Sequence, residues 1–456
     1  MRLTTPGSNG PAVAIVGGGL LGMTLAWRLQ RAGCRVSLLE AGPAVGGLAG
    51  SHQIGGYTWD RFYHVILRSD ANLQELLGEL GLSASLRWGT TRTGFFIGGR
   101  LRSMSTSLEF LGFPELSPID KVRLAATLLY ASRLRDWRPL ERIPVAAWLR
   151  RLSGKRTYER IWLPLLQSKL GENYHVTSAA FIWATIARMY GARRSGMKRE
   201  EFGYVDGGYA RILDRFVAEL GREGVEIRCG ARVAGVHDPG DGAEVRLASG
   251  EVLHFDKVIL TLPCGQVQRL CAQLSDAERE RLGRVVYQGI TCASLLLRRP
   301  LASYYITNIV EGWVPFTAVI EMTALVDARR FGGNALVYLP RYLAQDDPFW
   351  ARSDAEVREL FLSALERMYP AFRREDVLAF EVSRVREMLA LTTLDYSAQA
   401  RPTMRTSLPN VFVANSAQIV NGTLNVNETV GLANAAAAEL EPILTGAPDM
   451  ARTAVA

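Results

Sequence analysis

Lysine is scarce in this chain. Of its 53 basic residues only five are lysines (Lys121, Lys155, Lys169, Lys198 and Lys257), which leaves 48 arginines to carry the formal +8 against 45 acids. The arginines are scattered singly or in pairs such as Arg329-Arg330. Nucleic-acid binders instead gather basic clusters with interleaved aromatics, so no nucleic-acid partner is expected. Cysteine is scarce too: Cys34, Cys229, Cys264, Cys271 and Cys292 form no CxxC pair and have no histidine cluster nearby. That argues against a disulfide framework and against a metal site, and makes a reducing cytoplasm the expected setting. Long apolar runs are missing as well, since no stretch of about 18 residues is apolar and uncharged, as a membrane-spanning helix would need. The early run Val13 to Val16 leads into glycines and not into a small-residue cleavage site, so no secretory signal is expected. The expectation is a cytoplasmic protein with at most a peripheral membrane contact. Disorder is excluded by 48% hydrophobic and 9% aromatic residues. At roughly 150 residues per domain, 456 residues correspond to about three domain-sized units. Nothing in the pattern sets an oligomeric state.

What the sequence does have is a concentrated signal near its start. Residues 12–22 read AVAIVGGGLLG, a β-branched apolar run of the kind buried on both faces of a parallel sheet. It enters Gly17, Gly19 and Gly22, the G-x-G-x-x-G spacing. A helix is predicted over Leu20 to Arg31, with Leu21, Leu25, Ala26 and Leu29 on one face and Gly33 beyond its end. A second strand, Arg35 to Leu39, then ends in Glu40. The three glycines serve different ends. Gly17 permits the tight turn, Gly19 lets the backbone approach a pyrophosphate, and Gly22 allows close helix–strand packing. The helix N-terminus, with the Leu20 and Leu21 N–H groups, would face the phosphates. Glu40 lies 21 residues past the second glycine, where a carboxylate accepts hydrogen bonds from ribose hydroxyls. An acid there disfavours a 2′-phosphorylated nucleotide.

After Glu40 comes AGPAVGGLAGS, with Gly46 and Gly47 marking a second close backbone approach to a ligand. At this point the chain resembles the FAD-binding oxidoreductases of the amine oxidase, protoporphyrinogen oxidase and phytoene desaturase superfamily. Residues 204–236 are similar to the superfamily segment that re-enters the FAD domain, and 256–263 (DKVILTLP) to its next strand. Residues 410–440 resemble its last FAD element. The residues of that element make sense for a flavin on their own terms. Asn410 to Ala414 reads as a strand with Asn415 and Ser416 at its carboxyl end, where open α/β sheets bind ligands. Glu428 to Leu440 reads as an alanine-rich helix with Asn427 as N-cap and Glu428 and Thr429 in its first turn.

The resemblance implies non-covalent FAD, with contacts from Ala41, Gly47 and Leu48, from Phe62, Tyr63 and His64, and from the backbone of Val233. It also has departures. The arginine that often follows the GG pair is Leu48, and the usual Gly-Asp is Asn415-Ser416. No lysine occupies Val285 to Leu297, and no cysteine follows Cys292 to link a flavin. These differences point away from amine oxidation itself. The implied architecture is α/β, a Rossmann-type FAD-binding domain (10–70, 202–265 and 385–450) interleaved with an α+β substrate domain (71–201 and 266–384). In the latter, 118–134, 145–152, 156–171 and 178–190 read as helices, and 285–297 and 334–340 as strands of a sheet over the flavin.

Two residues stand out as catalytic candidates. The stretch GYTWDRFYHVILRSD (56–70) resembles the region that passes the flavin ring. Its His64 is either a proton acceptor or a packed structural histidine. Lys169, in QSKLGENY, either binds an anionic group of a small-molecule substrate or is a solvated lysine at a helix end. Tyr174, Tyr304, Tyr305 and Tyr338 are further pocket candidates. The stretch 118–137, with Leu124, Leu128, Leu129 and nearby Lys121, Arg123 and Arg133, is either a membrane-facing patch or ordinary packing. The expected activity is oxidation of a substrate C–H, next to N or O or in a desaturation, by hydride transfer to flavin N5. The alternative is a redox-neutral mutase resembling UDP-galactopyranose mutase.

Overall fold

The apolar run Ala12–Val16 (β1) sits at the centre of a five-stranded parallel sheet. Arg35–Leu39 (β2) and Glu226–Arg228 (β3) lie on one side of it, Lys257–Leu260 (β4) and Val411–Val413 on the other. The computed structural model describes residues 10–191 and 201–445, so residues 192–200 and 446–450 of the ranges expected from sequence lie outside the described residues. Val13, Ala14 and Ile15 are fully buried because one face of this sheet is covered by the three-stranded sheet Val233–His237, Ala243–Leu247 and Val252–Phe255 and the other by helices. One is Leu20–Arg31 (α1), with the bounds its pattern predicts. Another is Val426–Thr445, whose Ala433, Ala436 and Ala437 are small enough to pack closely beside Leu25 and Leu29 of α1.

A second, seven-stranded sheet is built around Tyr287–Leu297 (β5), Ala335–Leu343 (β6) and Val377–Ala390 (β7). β5 pairs antiparallel with both others, Ile290 facing Tyr342 on β6. All eleven residues of β5 are buried, since the sheet is covered on both sides. One face packs on the helix Asp354–Met368 through Phe361 and Leu365. The other meets Trp59, Phe62 and Leu67, from the loop that leaves the parallel-sheet half. β7 runs across position 385, one of the domain edges drawn from sequence.

The helices Ser107–Leu111 (α2), Pro118–Arg133 (α3), Val145–Ser153 (α4), Leu163–Leu170 (α5) and Ala179–Gly191 (α6) pack largely on one another around an apolar cluster of their own. The helix expected over 156–171 is not uniform: Tyr158–Trp162 is a π turn that opens into α5. Pro164 accounts for it, because its missing N–H and ring clash would break a tight helical turn four residues back. The cap expected at Asn427 is also corrected. The last helix begins at Val426, and Asn425 caps it, its Oδ1 accepting the Glu428 N–H at 3.1 Å. Asn427 lies inside the first turn, where its Oδ1 accepts the Leu73 N–H at 3.2 Å and so ties this helix to the helix Ala71–Glu79.

Glu321, at the end of the strand Ala318–Glu321, is a buried acid on the seven-stranded sheet. Its carboxylate accepts the N–H groups of Leu301 and Ala302 at 2.8 and 2.7 Å, yet burial pushes its pKa up to about 7 from 4.5. The fold therefore holds this proton more tightly than the unfolded chain does. Its contribution is full below pH 4.5 and drains away as the pH rises to about 7. Urea unfolding of the wild type is expected to lose on the order of 3 kcal/mol across that window relative to Glu321→Gln, which lacks the titration. Parallel pH profiles of the two proteins would contradict it.

Candidate functional site

At the carboxyl end of β1 the chain makes a crossing of two glycine loops. Gly17 turns with φ at +114°, donating its N–H to the Leu39 carbonyl of β2 at 2.9 Å. Gly22 lies where helix meets strand: a Cβ there would stand 2.0 Å from the Gly17 carbonyl oxygen. Gly46 donates to the Gly18 carbonyl at 2.7 Å, and a Cβ on Gly47 would approach Gly19 Cα at 3.2 Å, so the two loops touch backbone to backbone. On Gly19 itself a Cβ would meet nothing within 4 Å. That open side is the N-terminus of α1, where Gly19 is the N-cap, no side chain caps the helix and no acid sits in the first turn. Unpaired N–H groups and the positive dipole end thus face free space beside Leu20 and Leu21.

Glu40 is gripped where β2 ends. One carboxylate oxygen accepts the Gly18 N–H and the other the Gly42 N–H, each at 2.7 Å. Each oxygen keeps a second lone pair, so the acid is oriented and still able to accept hydroxyls. Ala41 follows it directly, and Ala231 N–H donates to the Glu40 carbonyl at 2.9 Å. Val233, the first residue of the strand Val233–His237, is therefore two positions from this contact. The terminal segment is tied to the same sheet edge. Asn415 is buried and its groups are committed within the protein: Nδ2 donates to the Leu262 carbonyl at 2.8 Å and Oδ1 accepts the Ala417 N–H at 3.1 Å. Ser416 beside it is half-buried. Thr429 Oγ1 donates to the Asn425 carbonyl at 2.8 Å, while Glu428 accepts from Asn427 Nδ2 at 3.2 Å.

A cluster of polar groups fills the space between the two sheets. Its centre is Asp60, buried, whose Oδ1 accepts the Tyr209 N–H at 2.7 Å at the start of the helix Gly208–Arg222. The Asp60 carbonyl accepts the Tyr338 hydroxyl at 2.6 Å. His64 Nδ1 lies 3.7 Å from Asp60 Oδ2, its ring centroid is 4.7 Å from that of Tyr209, and Nδ1 has no hydrogen-bond partner. Phe62, Tyr63 and Leu48 pack in the same apolar cluster, which joins the second glycine loop to this region. Burial pushes the phenols of Tyr63, Tyr209, Tyr305 and Tyr338 up, so they stay neutral at physiological pH. As neutral hydroxyls they can donate and accept hydrogen bonds.

Lys169 reaches this cluster from α5. Its Nζ lies 5.0 Å from the centroid of the Tyr342 ring, and the Tyr342 hydroxyl is 2.6 Å from that of Tyr63. Of the four tyrosines expected near a pocket, Tyr305 and Tyr338 join the cluster. Tyr304 stacks under Arg92, and Tyr174 packs on His175 among the helices. Asp60, Tyr209, Tyr342 and Gln288 went unnoticed in the sequence. Strand alternation was a usable signal for one of them, since Tyr342 lies four residues from Tyr338 on β6 and so shares its face.

Comparison with known proteins agrees with this layout. The family model described as flavin containing amine oxidoreductase matches residues 22–440. A coproporphyrinogen III oxidase of Propionibacterium freudenreichii subsp. freudenreichii is 22% identical over 401 residues, covering 73% of this chain and 74% of its own. A solved structure from Exiguobacterium sp. 255-15, provisionally named a protoporphyrinogen oxidase, superposes with a TM-score of 0.75 at 20% identity over 95% of this chain and 99% of its own. Cyclohexylamine oxidase from Brevibacterium oxydans IH-35A gives 0.69 at 15% identity over 95% and 99%. Likeness at these identities shows the shared fold.

Gly22→Ala tests the crossing. The added methyl must push α1 off the Gly17 turn, and overpacking of this kind costs about 1–3 kcal/mol. Flavin content of the purified variant, read by visible absorbance, is expected to fall about tenfold or more. Full flavin content with an unchanged melting temperature would show that the turn tolerates the methyl.

Proposed function

The chain belongs to the flavin-containing amine oxidoreductases, and on that premise we propose that it holds FAD non-covalently and oxidises a C–H bond of a small organic substrate. FAD, when bound, supplies the hydride acceptor at N5. The FAD domain then comprises 10–70, 202–265 and 385–450, and the substrate domain 71–201 and 266–384. Gly17, Gly19 and Gly22, with the N–H groups of Leu20 and Leu21, would hold the pyrophosphate; Glu40 and Ala41 the ribose; Val233 the adenine. Gly47, Leu48, Phe62, Tyr63 and His64 would border the flavin ring, with Asn415, Ser416, Asn427, Glu428 and Thr429 at its far end. The single observation that supports this most is the glycine crossing. An uncapped helix N-terminus, an open Cβ position at Gly19 and an acid with spare lone pairs meet at one point. That combination fits a dinucleotide with a free ribose.

His64, steadied by Asp60 and Tyr209, takes up the proton that the substrate's N–H or O–H releases. The buried tyrosines exclude water and orient the substrate. The first substrate to try is coproporphyrinogen III, named in the relative at 22% identity. Anaerobic mixing should bleach the yellow holoprotein. Turnover that needs prior dithionite reduction and gives no net redox change would replace the oxidation reading with a redox-neutral isomerase. His64→Ala is expected to keep its FAD and lose about a hundredfold in kcat; unchanged turnover would leave His64 a packing residue.

A peripheral lipid contact belongs to the same proposal. Of the residues expected to form this patch, Leu124 and Leu128 pack into the helical core instead; the outward face of α3 carries Ile119 and Val122, 70% and 69% exposed, beside Leu108 of α2 at 80%. Lys121 Nζ donates to the Leu111 carbonyl at 2.5 Å, joining the two helices into one patch. Lys121, Arg123 and Arg133 border it, while Asp120 is buried against Ser117. An apolar face with a cationic rim suits an anionic bilayer surface. The protein is expected to sediment with phosphatidylserine vesicles and not with phosphatidylcholine alone, and Ile119→Ser with Val122→Ser to abolish it. Equal recovery with both vesicle types would count against lipid docking.

A further inference from the structure

Gln288 is an unexplained polar side chain in the middle of an apolar sheet. It is 0% exposed; its Oε1 accepts Asn173 Nδ2 at 3.1 Å, and its Nε2 has no partner. A buried amide N–H left without an acceptor is a standing penalty that a ligand oxygen would remove. Gln288 lies on β5 two residues from Ile290, which faces Tyr342 across the sheet. The Gln288 and Tyr342 positions are therefore diagonal neighbours about 7–8 Å apart. Lys169 stands over Tyr342 and Asn173 over Gln288, both from the stretch around the end of α5.

Lys169 has no carboxylate partner among the described residues. The acid nearest in sequence, Glu172, is exposed and faces His175 at 3.6 Å. Arg341, adjacent to Tyr342, points to the opposite face of β6 and stacks on Phe349 at 4.4 Å. The place thus combines one ammonium with neutral donors: the Gln288 amide, the Asn173 amide and the Tyr63–Tyr342 hydroxyl pair. We propose that Lys169, Asn173 and Gln288 form a subsite for a single carboxylate group of the substrate. One cation with neutral donors balances one negative charge. A phosphate dianion or a diphosphate would leave charge uncompensated in a half-buried site. A carboxylate between Lys169 and Gln288 would give the ammonium a counter-ion and the orphan N–H its acceptor in one step.

The proposal rests on the functional reading in taking this polar cluster as the substrate's, and its test separates the two. Holoenzyme is titrated with benzoate and octanoate, and with benzamide and octanol as neutral counterparts, by calorimetry and by flavin absorbance. The carboxylates are expected to bind about tenfold or more tightly than the neutral molecules, the scale of one charge-assisted hydrogen bond. Lys169→Met should erase that preference, Lys169→Arg should retain part of it, and Gln288→Leu should weaken carboxylates several-fold while leaving the neutral molecules unchanged. Equal binding of benzoate and benzamide by the wild type would overturn the subsite. So would undiminished benzoate binding by Lys169→Met, or inorganic phosphate displacing benzoate at lower concentration than benzoate itself binds. Carboxylate preference seen calorimetrically in a protein that no substrate reduces would leave the subsite standing and remove the oxidation reading. Flavin reduction without carboxylate preference would do the reverse.

Discussion

The structure turns on one buried carboxylate. Asp60 ends the hairpin strand Tyr57–Asp60, and three parts of the molecule meet on it. Its side chain accepts the N–H that opens the helix Gly208–Arg222, where the helix dipole favours negative charge. Its carbonyl accepts the hydroxyl of Tyr338 from the seven-stranded sheet. Its second carboxylate oxygen faces His64. A buried acid is tolerated only when its charge is compensated, and here the compensation comes from groups that must themselves be in register. The parallel-sheet half, the antiparallel sheet and the loop with His64 are thereby fixed relative to one another through a single residue.

The same constraint explains why the polar groups collect where they do. Parallel strands end together, so the loops after β1 and β2 and the segments after β4 and Val411–Val413 open at one edge. Backbone-to-backbone contact between the Gly17–Gly19 and Gly46–Gly47 loops leaves a space with N–H groups on one side and Glu40 on the other. Leu48 then leads the chain from this space directly into the cluster of Phe62 and Tyr63. Few residues separate the dinucleotide-type loop from the polar cluster, which packs against the seven-stranded sheet.

How much of this was legible in the sequence follows from the range of the interactions. The β1–α1–β2 unit was read to its end residues because propensity, periodicity and glycine spacing act within about 30 residues and agree. β5 was legible as a strand over 285–297, two residues longer than the observed Tyr287–Leu297. The cap of the last helix was not, because Asn425 and Asn427 both suit a cap and only tertiary contact with Leu73 decides which of them is drawn away. The π turn before α5 escaped because the apolar spacing over 156–171 stays helical across Pro164 and masks the break. The centre of the cavity was illegible for a plainer reason. Tyr63 meets Tyr342 across 279 positions and Asp60 meets Tyr338 across 278, and no local pattern marks either pair.

The scarcity of lysine has a last consequence for the chemistry. In a cluster whose phenols burial keeps neutral, Lys169 places a positive charge beside Tyr342 and Asp60 a negative one beside Tyr209. A protonated amine entering beside Lys169 would meet a like charge. A neutral or anionic substrate would meet an ammonium, two amides and hydroxyl donors. Coulombic discrimination of this kind acts strongly where water is excluded. The charge beside Lys169 is a local feature, as are the departures Leu48 and Asn415-Ser416. Such local differences change what the cluster can contact, while the glycine crossing and the parallel sheet keep the flavin architecture of the family intact.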